Sequence, residues 1–174
     1  LNDAARMRAD TYDEEVNTSS SLLQCRPRTP GYQPKGLDPM RIDKVTDPLT
    51  RQLVAYRISY EKTPGERVIW VDGRPSPSPF ALHSWDGFST GKFRGDTLEI
   101  TTTHIKESYV RRNGVATSFR ATVIEQMSLE EPYLEVTFTV IDPDYLSEPF
   151  VRSATYMRAP TLQLANVGLA EQTS

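Results

Sequence analysis

From Met40 to about residue 158 the side chains of this sequence change character at every second position. Gln52, Val54, Tyr56, Ile58 and Tyr60 alternate with Arg51, Ala55, Arg57 and Ser59, and Leu134, Val136, Phe138 and Val140 alternate with Tyr133, Glu135, Thr137 and Thr139. A strand points successive side chains to opposite faces, so this rhythm demands strands with one buried and one wetter face. Between the runs stand Thr63-Pro64-Gly65, Arg94-Gly95-Asp96, Asn113-Gly114, Glu131-Pro132 and Asp142-Pro143. Gly and Asn tolerate positive φ and Pro presets φ, so these are turn signals. The sequence therefore predicts eight strands, at 40–46, 51–60, 66–72, 86–93, 97–105, 118–128, 133–141 and 150–158.

Short links make neighbouring strands antiparallel, and eight such strands can close around a core or one small ligand. The expected fold is all-β, an antiparallel up-and-down β-barrel of lipocalin-like form with about eight strands. A two-sheet β-sandwich is the alternative, because alternation does not fix closure. The strand positions hold more than a dozen large apolar side chains, each contributing roughly 1.5–3 kcal/mol when fully buried. A core of that size suits a chain whose lone Cys25 excludes an intrachain disulfide and a multi-thiolate zinc site.

Upstream lies an N-terminal arm, residues 1–39. Residues 1 to about 16, with Ala4, Ala5, Met7 and Ala9, suit a short surface helix or a solvated arm. From Asn17 to Pro39 the prolines at 27, 30, 34 and 39 forbid a long helix or central strand, and an extended segment wrapping the outside of the domain is expected. The barrel domain spans 40–160 and a polar tail spans 161–174. A net charge of −3 and a pI near 5.5 offer a polyanion no general attraction, so nucleic acid is not an expected partner. No apolar run approaches the roughly 20 residues of a transmembrane helix. The first residue is Leu1 rather than Met, as expected of a chain whose leader has been removed.

The stretch Val68-Ile69-Trp70-Val71-Asp72-Gly73-Arg74-Pro75, followed by Trp85-Asp86-Gly87-Phe88-Ser89-Thr90-Gly91-Lys92-Phe93-Arg94-Gly95-Asp96-Thr97-Leu98, resembles a signature of an uncharacterised family of secreted or periplasmic bacterial β-rich proteins. That signature is Asp-Gly-Arg-Pro leading to Trp-x-Gly-x-Ser-x-Gly-x-aromatic-x-Gly-Asp-Thr-Leu, and weaker matches extend it over about residues 25 to 160. The resemblance implies an exported, sheet-rich protein, periplasmic or extracellular, and brings no reaction with it. The sequence departs from the pattern where a His-Ser pair and a Glu-Arg pair are replaced by Ala116-Thr117-Ser118 and Glu125-Gln126. The family's C-terminal Cys is also missing.

Gly87-Phe88-Ser89-Thr90-Gly91 matches the G-x-S-x-G nucleophile elbow, but the residues that follow read as strand, turn and strand rather than a helix. The glycines are read instead as allowing close packing or curvature. His83 and His104 are the only imidazole bases, and neither His83 with Asp86 nor His104 with Glu107 has the further spaced ligands of a metal site. No catalytic residue, cofactor or metal is assigned. Asp72-Gly73-Arg74 reads as turn chemistry, with Arg74 paired to a carboxylate or laid over Trp70 or Trp85, and Arg94-Gly95-Asp96 as a tight hairpin. Trp70, Phe80, Trp85, Phe88 and Phe93 cluster in sequence, so a loop could plug a barrel mouth or line a pocket. Trp70, Arg74, His83, Trp85 and Phe88 are the candidate ligand-binding residues.

Three functions stay open. The favoured one is a noncatalytic exported barrel that binds a small apolar or amphipathic molecule or acts as an interaction module. The second is an accessory subunit of an extracytoplasmic assembly, contacting a protein partner through residues 17–39 and 161–174. The third is a small hydrolase or isomerase with a His base, His83 or His104, assisted by Asp72, Asp86 or Asp96.

Overall fold

The alternating runs become strands close to their expected limits. A computed structural model describes residues 1–13, 29–32, 38–61, 66–110 and 114–164. Its elements are α1 (Asp3–Asp10), β1 (Met40–Thr46), β2 (Leu53–Tyr60), β3 (Glu66–Trp70), β4 (Phe88–Arg94), β5 (Thr97–Thr103), β6 (Ser108–Tyr109), β7 (Ala116–Thr117), β8 (Thr122–Glu130), β9 (Tyr133–Ile141) and β10 (Phe150–Met157). Eight strands form one sheet in the order β1-β2-β3-β4-β5-β8-β9-β10, and β6 and β7 form a small hairpin. The large sheet curls into a half-barrel. Among the described residues β1 pairs only with β2 and β10 only with β9. Residues 62–65, with the expected turn Thr63-Pro64-Gly65, residues 111–113, and most of 17–39 and 161–174 lie outside the described residues.

One neighbour relation differs from the expected succession of hairpins. β3 and β4 run parallel, with Ile69 opposite Ser89 and Trp70 opposite Thr90. The connection from Val71 to Gly87 contains Pro75, Pro77 and Pro79 and forms no strand, so it carries the chain back before β4 begins. Parallel neighbours need such a long return path. The other pairings within the large sheet are antiparallel.

Register assigns one parity of every strand to the concave face. Ile58, Tyr60, Ile69, Leu98, Ile100, Met127, Val136 and Phe138 make its main core. A second cluster of Ile105, Val110, Val115, Val123 and Val140, with Leu146 and Phe150 against it, fills one end of the half-barrel. Helix α1 docks at this end. Its Asn2 side chain accepts from the Ala5 N–H at 3.0 Å, while the Asn2 N–H donates to the Tyr145 carbonyl at 3.2 Å. Ala5 is fully buried, and Tyr12 meets Tyr109 edge-on at 5.1 Å.

The Pro-rich segment, expected on the outside, goes inward where it is described. Thr29, Pro30 and Gly31 are buried, and a Cβ built on Gly31 would lie 3.2 Å from Val140 and 3.4 Å from Val123. Strands that do not close leave an interior that another segment must cover, and this turn covers part of it.

Gly87, at the entry to β4, has φ +66°, and a Cβ there would sit 2.5 Å from the Thr103 carbonyl oxygen. Gly95 has φ +61° with open space around it. Gly87→Ala is therefore expected to lower unfolding stability by about 2–3 kcal/mol in urea titrations, against about 1 kcal/mol for Gly95→Ala.

Candidate functional site

At the end opposite α1, the concave face opens into a cavity of about 470 Å³. Its walls are Ile42, Tyr56, Ile58, Ile69, Phe93, Leu98, Met127, Leu129 and Leu134, with Gly95 and Asp96 of the β4–β5 turn at the edge. Between Ser89 and Phe93 on this face stands Gly91, over which Ile69, Leu98 and Val71 pack closely. A Cβ there would press to 3.1 Å from both Ile69 and Leu98. Tyr56 and Phe93 meet edge-on at 6.4 Å and form one wall. Ile42 is 40% exposed and Phe93 and Leu129 are each 55% exposed, so the rim presents apolar side chains to water. A space of this size, apolar with few polar groups, falls within the range of small-molecule sites, roughly 300–1,000 Å³.

Deeper on the same face, charged and hydroxyl groups are sealed in. Arg67 Nη1 donates to Glu125 Oε1 at 2.9 Å, Nη2 donates to Glu125 Oε2 and to Thr102 Oγ1, and Nε donates to Ser89 Oγ at 3.1 Å. The Ser89 and Thr102 hydroxyls are 2.9 Å apart, and all four residues are buried. β3 and β8 are three ladder steps apart, about 14 Å on a flat sheet, so this contact is a chord across the curl. Burial alone would lower the Arg67 pKa, but the charge and hydrogen bonds of Glu125 more than offset it and hold the guanidinium firmly protonated. Burial also pushes the Tyr60 hydroxyl above its ordinary pKa, against the pull of Arg67. Asp86 is raised too, by burial that outweighs the attraction of Arg67.

The residues singled out from sequence fall elsewhere. Trp70 and Phe88 have the opposite parity to Ile69 and Ser89, which puts them on the convex face. Arg74 lies over the Trp70 ring at 3.3 Å and is paired with Asp72 at 2.6 Å, which fits the turn-organising role. His83 Nδ1 is 3.1 Å from the Ile105 carbonyl, and its ring is 5.2 Å from His104 and 5.9 Å from Phe119. Trp85 lies under the Lys106 ammonium at 5.2 Å. Arg74 and Trp70 are thus brought together, as are His83 and His104, but none of the five candidates lines the cavity.

Ser89, the central residue of the G-x-S-x-G match, is the second residue of β4, with its hydroxyl committed to Arg67 and Thr102. His83 is bonded instead to the Ile105 carbonyl. Among the described residues no group of three or more His, Cys, Asp or Glu is arranged to hold a metal ion. No described helix is long and apolar enough to cross a membrane. No family model matches the chain, and neither a curated protein nor a solved structure matches it.

The sequence did carry a signal for the charged chord. Arg67 has the parity of buried Ile69, and Glu125 that of buried Val123 and Met127. A charge on the apolar face of each of two strands calls for mutual pairing.

Removing one partner strands the other charge, so Arg67→Met is expected to cost about 3–5 kcal/mol in denaturant unfolding. The double variant Arg67→Met, Glu125→Leu is expected to recover most of that loss. Asp86 gives a second expectation. Its folded pKa lies above the unfolded value, so its contribution is lost as pH rises from the unfolded pKa through the folded one. Asp86→Asn should therefore be more stable than the parent at pH ~7, with the difference shrinking as pH falls towards about 4 and absent below it.

Proposed function

We propose that the protein is an exported, noncatalytic binding domain whose half-barrel holds a small apolar or amphipathic molecule. The observation that carries this reading is the cavity of about 470 Å³ with aliphatic and aromatic walls and an exposed apolar rim. Side chains fill the α1 end of the interior and leave this end open. The apolar part of a ligand would lie against Ile69, Leu98 and Met127, and its polar part would face Asp96 and water. The secreted-family signature around Asp72-Gly73-Arg74-Pro75 supports a periplasmic or extracellular location.

Noncatalytic binding is favoured over a His-based hydrolase because Ser89 is bonded within the Arg67 network and His83 to a backbone carbonyl. Nucleophilic catalysis requires the nucleophile and base within hydrogen-bond reach. The assembly reading gains no specific support from the described residues.

The apolar fluorophore N-phenylnaphthylamine provides the test. The parent should bind it with enhanced emission, and Leu134→Trp and Leu129→Glu should each weaken binding at least about tenfold by filling or charging the site. Trp70→Ala, on the other face, should leave it unchanged. Loss of binding in Trp70→Ala with retention in Leu129→Glu would move the site to the loop and overturn the reading.

A further inference from the structure

Among the described residues, the charged group on the wall of the apolar cavity is Asp96. It follows Gly95 in the turn joining β4 to β5 and is exposed. Among the described residues no hydrogen bond or ion pair holds its carboxylate. The nearby cations stand elsewhere. Lys92 and Arg94 have the convex parity of Phe88, and Arg94 is bonded to Glu99 at 3.2 Å. Lys44 shares the concave parity of Ile42 but does not line the cavity. Close to Asp96 in sequence is Phe93, whose ring meets that of Tyr56 at 67°, and both residues line the cavity. The rim therefore combines two aromatic rings with an unpaired carboxylate. An ammonium group is attracted to both, whereas an anionic head is repelled by both.

We propose that the molecule held in this cavity is a cationic amphiphile, an alkyl chain carrying a quaternary ammonium head. The inference rests on the binding reading of the cavity and adds the chemistry of the head group. The chain lies against Ile69, Leu98 and Met127, and the head sits at the rim with Asp96, Tyr56 and Phe93. A quaternary head suits such a rim better than a primary amine, because its methyl groups pack on the rings while the nitrogen keeps its charge. Asp96 is exposed, so its attraction is modest and screened by salt. The apolar walls supply the affinity, and the rim selects among amphiphiles of similar chain.

Displacement of N-phenylnaphthylamine from the whole chain by decyltrimethylammonium, decyl sulfate and decanol tests this, each below its micellar concentration and at low salt. The cation should displace the fluorophore at about fivefold lower concentration than decyl sulfate. Asp96→Asn, which keeps a turn-forming residue, should narrow that gap to about twofold and leave decanol unchanged. Phe93→Leu keeps an apolar wall without a ring and should weaken the cation about two- to fivefold, with little effect on decanol. Asp10→Asn, exposed on α1 at the other end, removes the same charge and should leave the gap as it is, which separates a local contact from net charge. Three results would overturn the proposal while leaving the apolar binding space intact: equal displacement by cation and anion, a gap that Asp10→Asn narrows as much as Asp96→Asn does, or a preference for decyl sulfate that Lys44→Ala abolishes. A parent chain that binds neither the fluorophore nor decanol would overturn both the proposal and the reading beneath it.

Discussion

The hydrogen-bonded chord from Arg67 to Glu125 sets the shape on which everything else rests. Strands β3 and β8 carry its ends, while Ser89 on β4 and Thr102 on β5 supply the hydroxyls that complete the guanidinium's bonding. Two charges withdrawn from water cost several kcal/mol each, and a pair compensates for this only when the geometry is good and the remaining donors are satisfied. Here one arginine meets both carboxylate oxygens, and the contact forms only if the sheet curls enough to bring β3 and β8 within reach. A flatter sheet would leave both charges buried and unpaired. The pair is therefore better understood as selecting the curvature than as adding to stability, since an apolar replacement of both residues would serve stability as well.

Curvature divides the interior along its length. Beyond the chord toward α1, the Ile105, Val110, Val115, Val123 and Val140 cluster fills the space, and the Thr29–Tyr32 turn presses in from the open side. On the other side of the chord lies the apolar cavity, walled by Ile42, Tyr56, Phe93, Leu98 and Leu134. The same sheet thus has a packed end and an open end. Asp142 stabilises the packed end, accepting from the Ser118 N–H at 2.6 Å and from its hydroxyl at 2.9 Å, and so anchors the turn leading into β8.

Much of the fold was legible because alternation is a local property. The expected limits of β1 and β9 match the strands observed, and Arg94-Gly95-Asp96 forms the tight turn its glycine suggested. Arg74 does both of the things expected of it as alternatives, pairing with a carboxylate, Asp72, and lying over Trp70. The parallel β3–β4 pair was not legible, because turn chemistry reports where a strand ends and not which way a long connection returns. The five candidate residues and the cavity lie apart for a related reason. Trp70, Trp85 and Phe88 cluster in sequence, but strand parity turns Trp70 and Phe88 to the convex face, while Ile42, Leu98 and Leu134 converge on the cavity only through pairing across the sheet. Arg67 and Glu125 were legible in parity, provided a charge on an apolar stripe is taken as a demand for a partner.

The central claim is that the concave face, and not the convex loop, offers an apolar binding space. Methyl nuclear magnetic resonance of protein labelled at Ile, Leu, Val and Met, titrated with a medium-chain alcohol, tests it most directly. The account predicts saturable shifts at Ile69, Leu98, Met127 and Leu134, with the outward-facing Ile124, Ile141 and Val151 unmoved. Shifts confined to the outward methyls, or none anywhere at saturating alcohol, would contradict it.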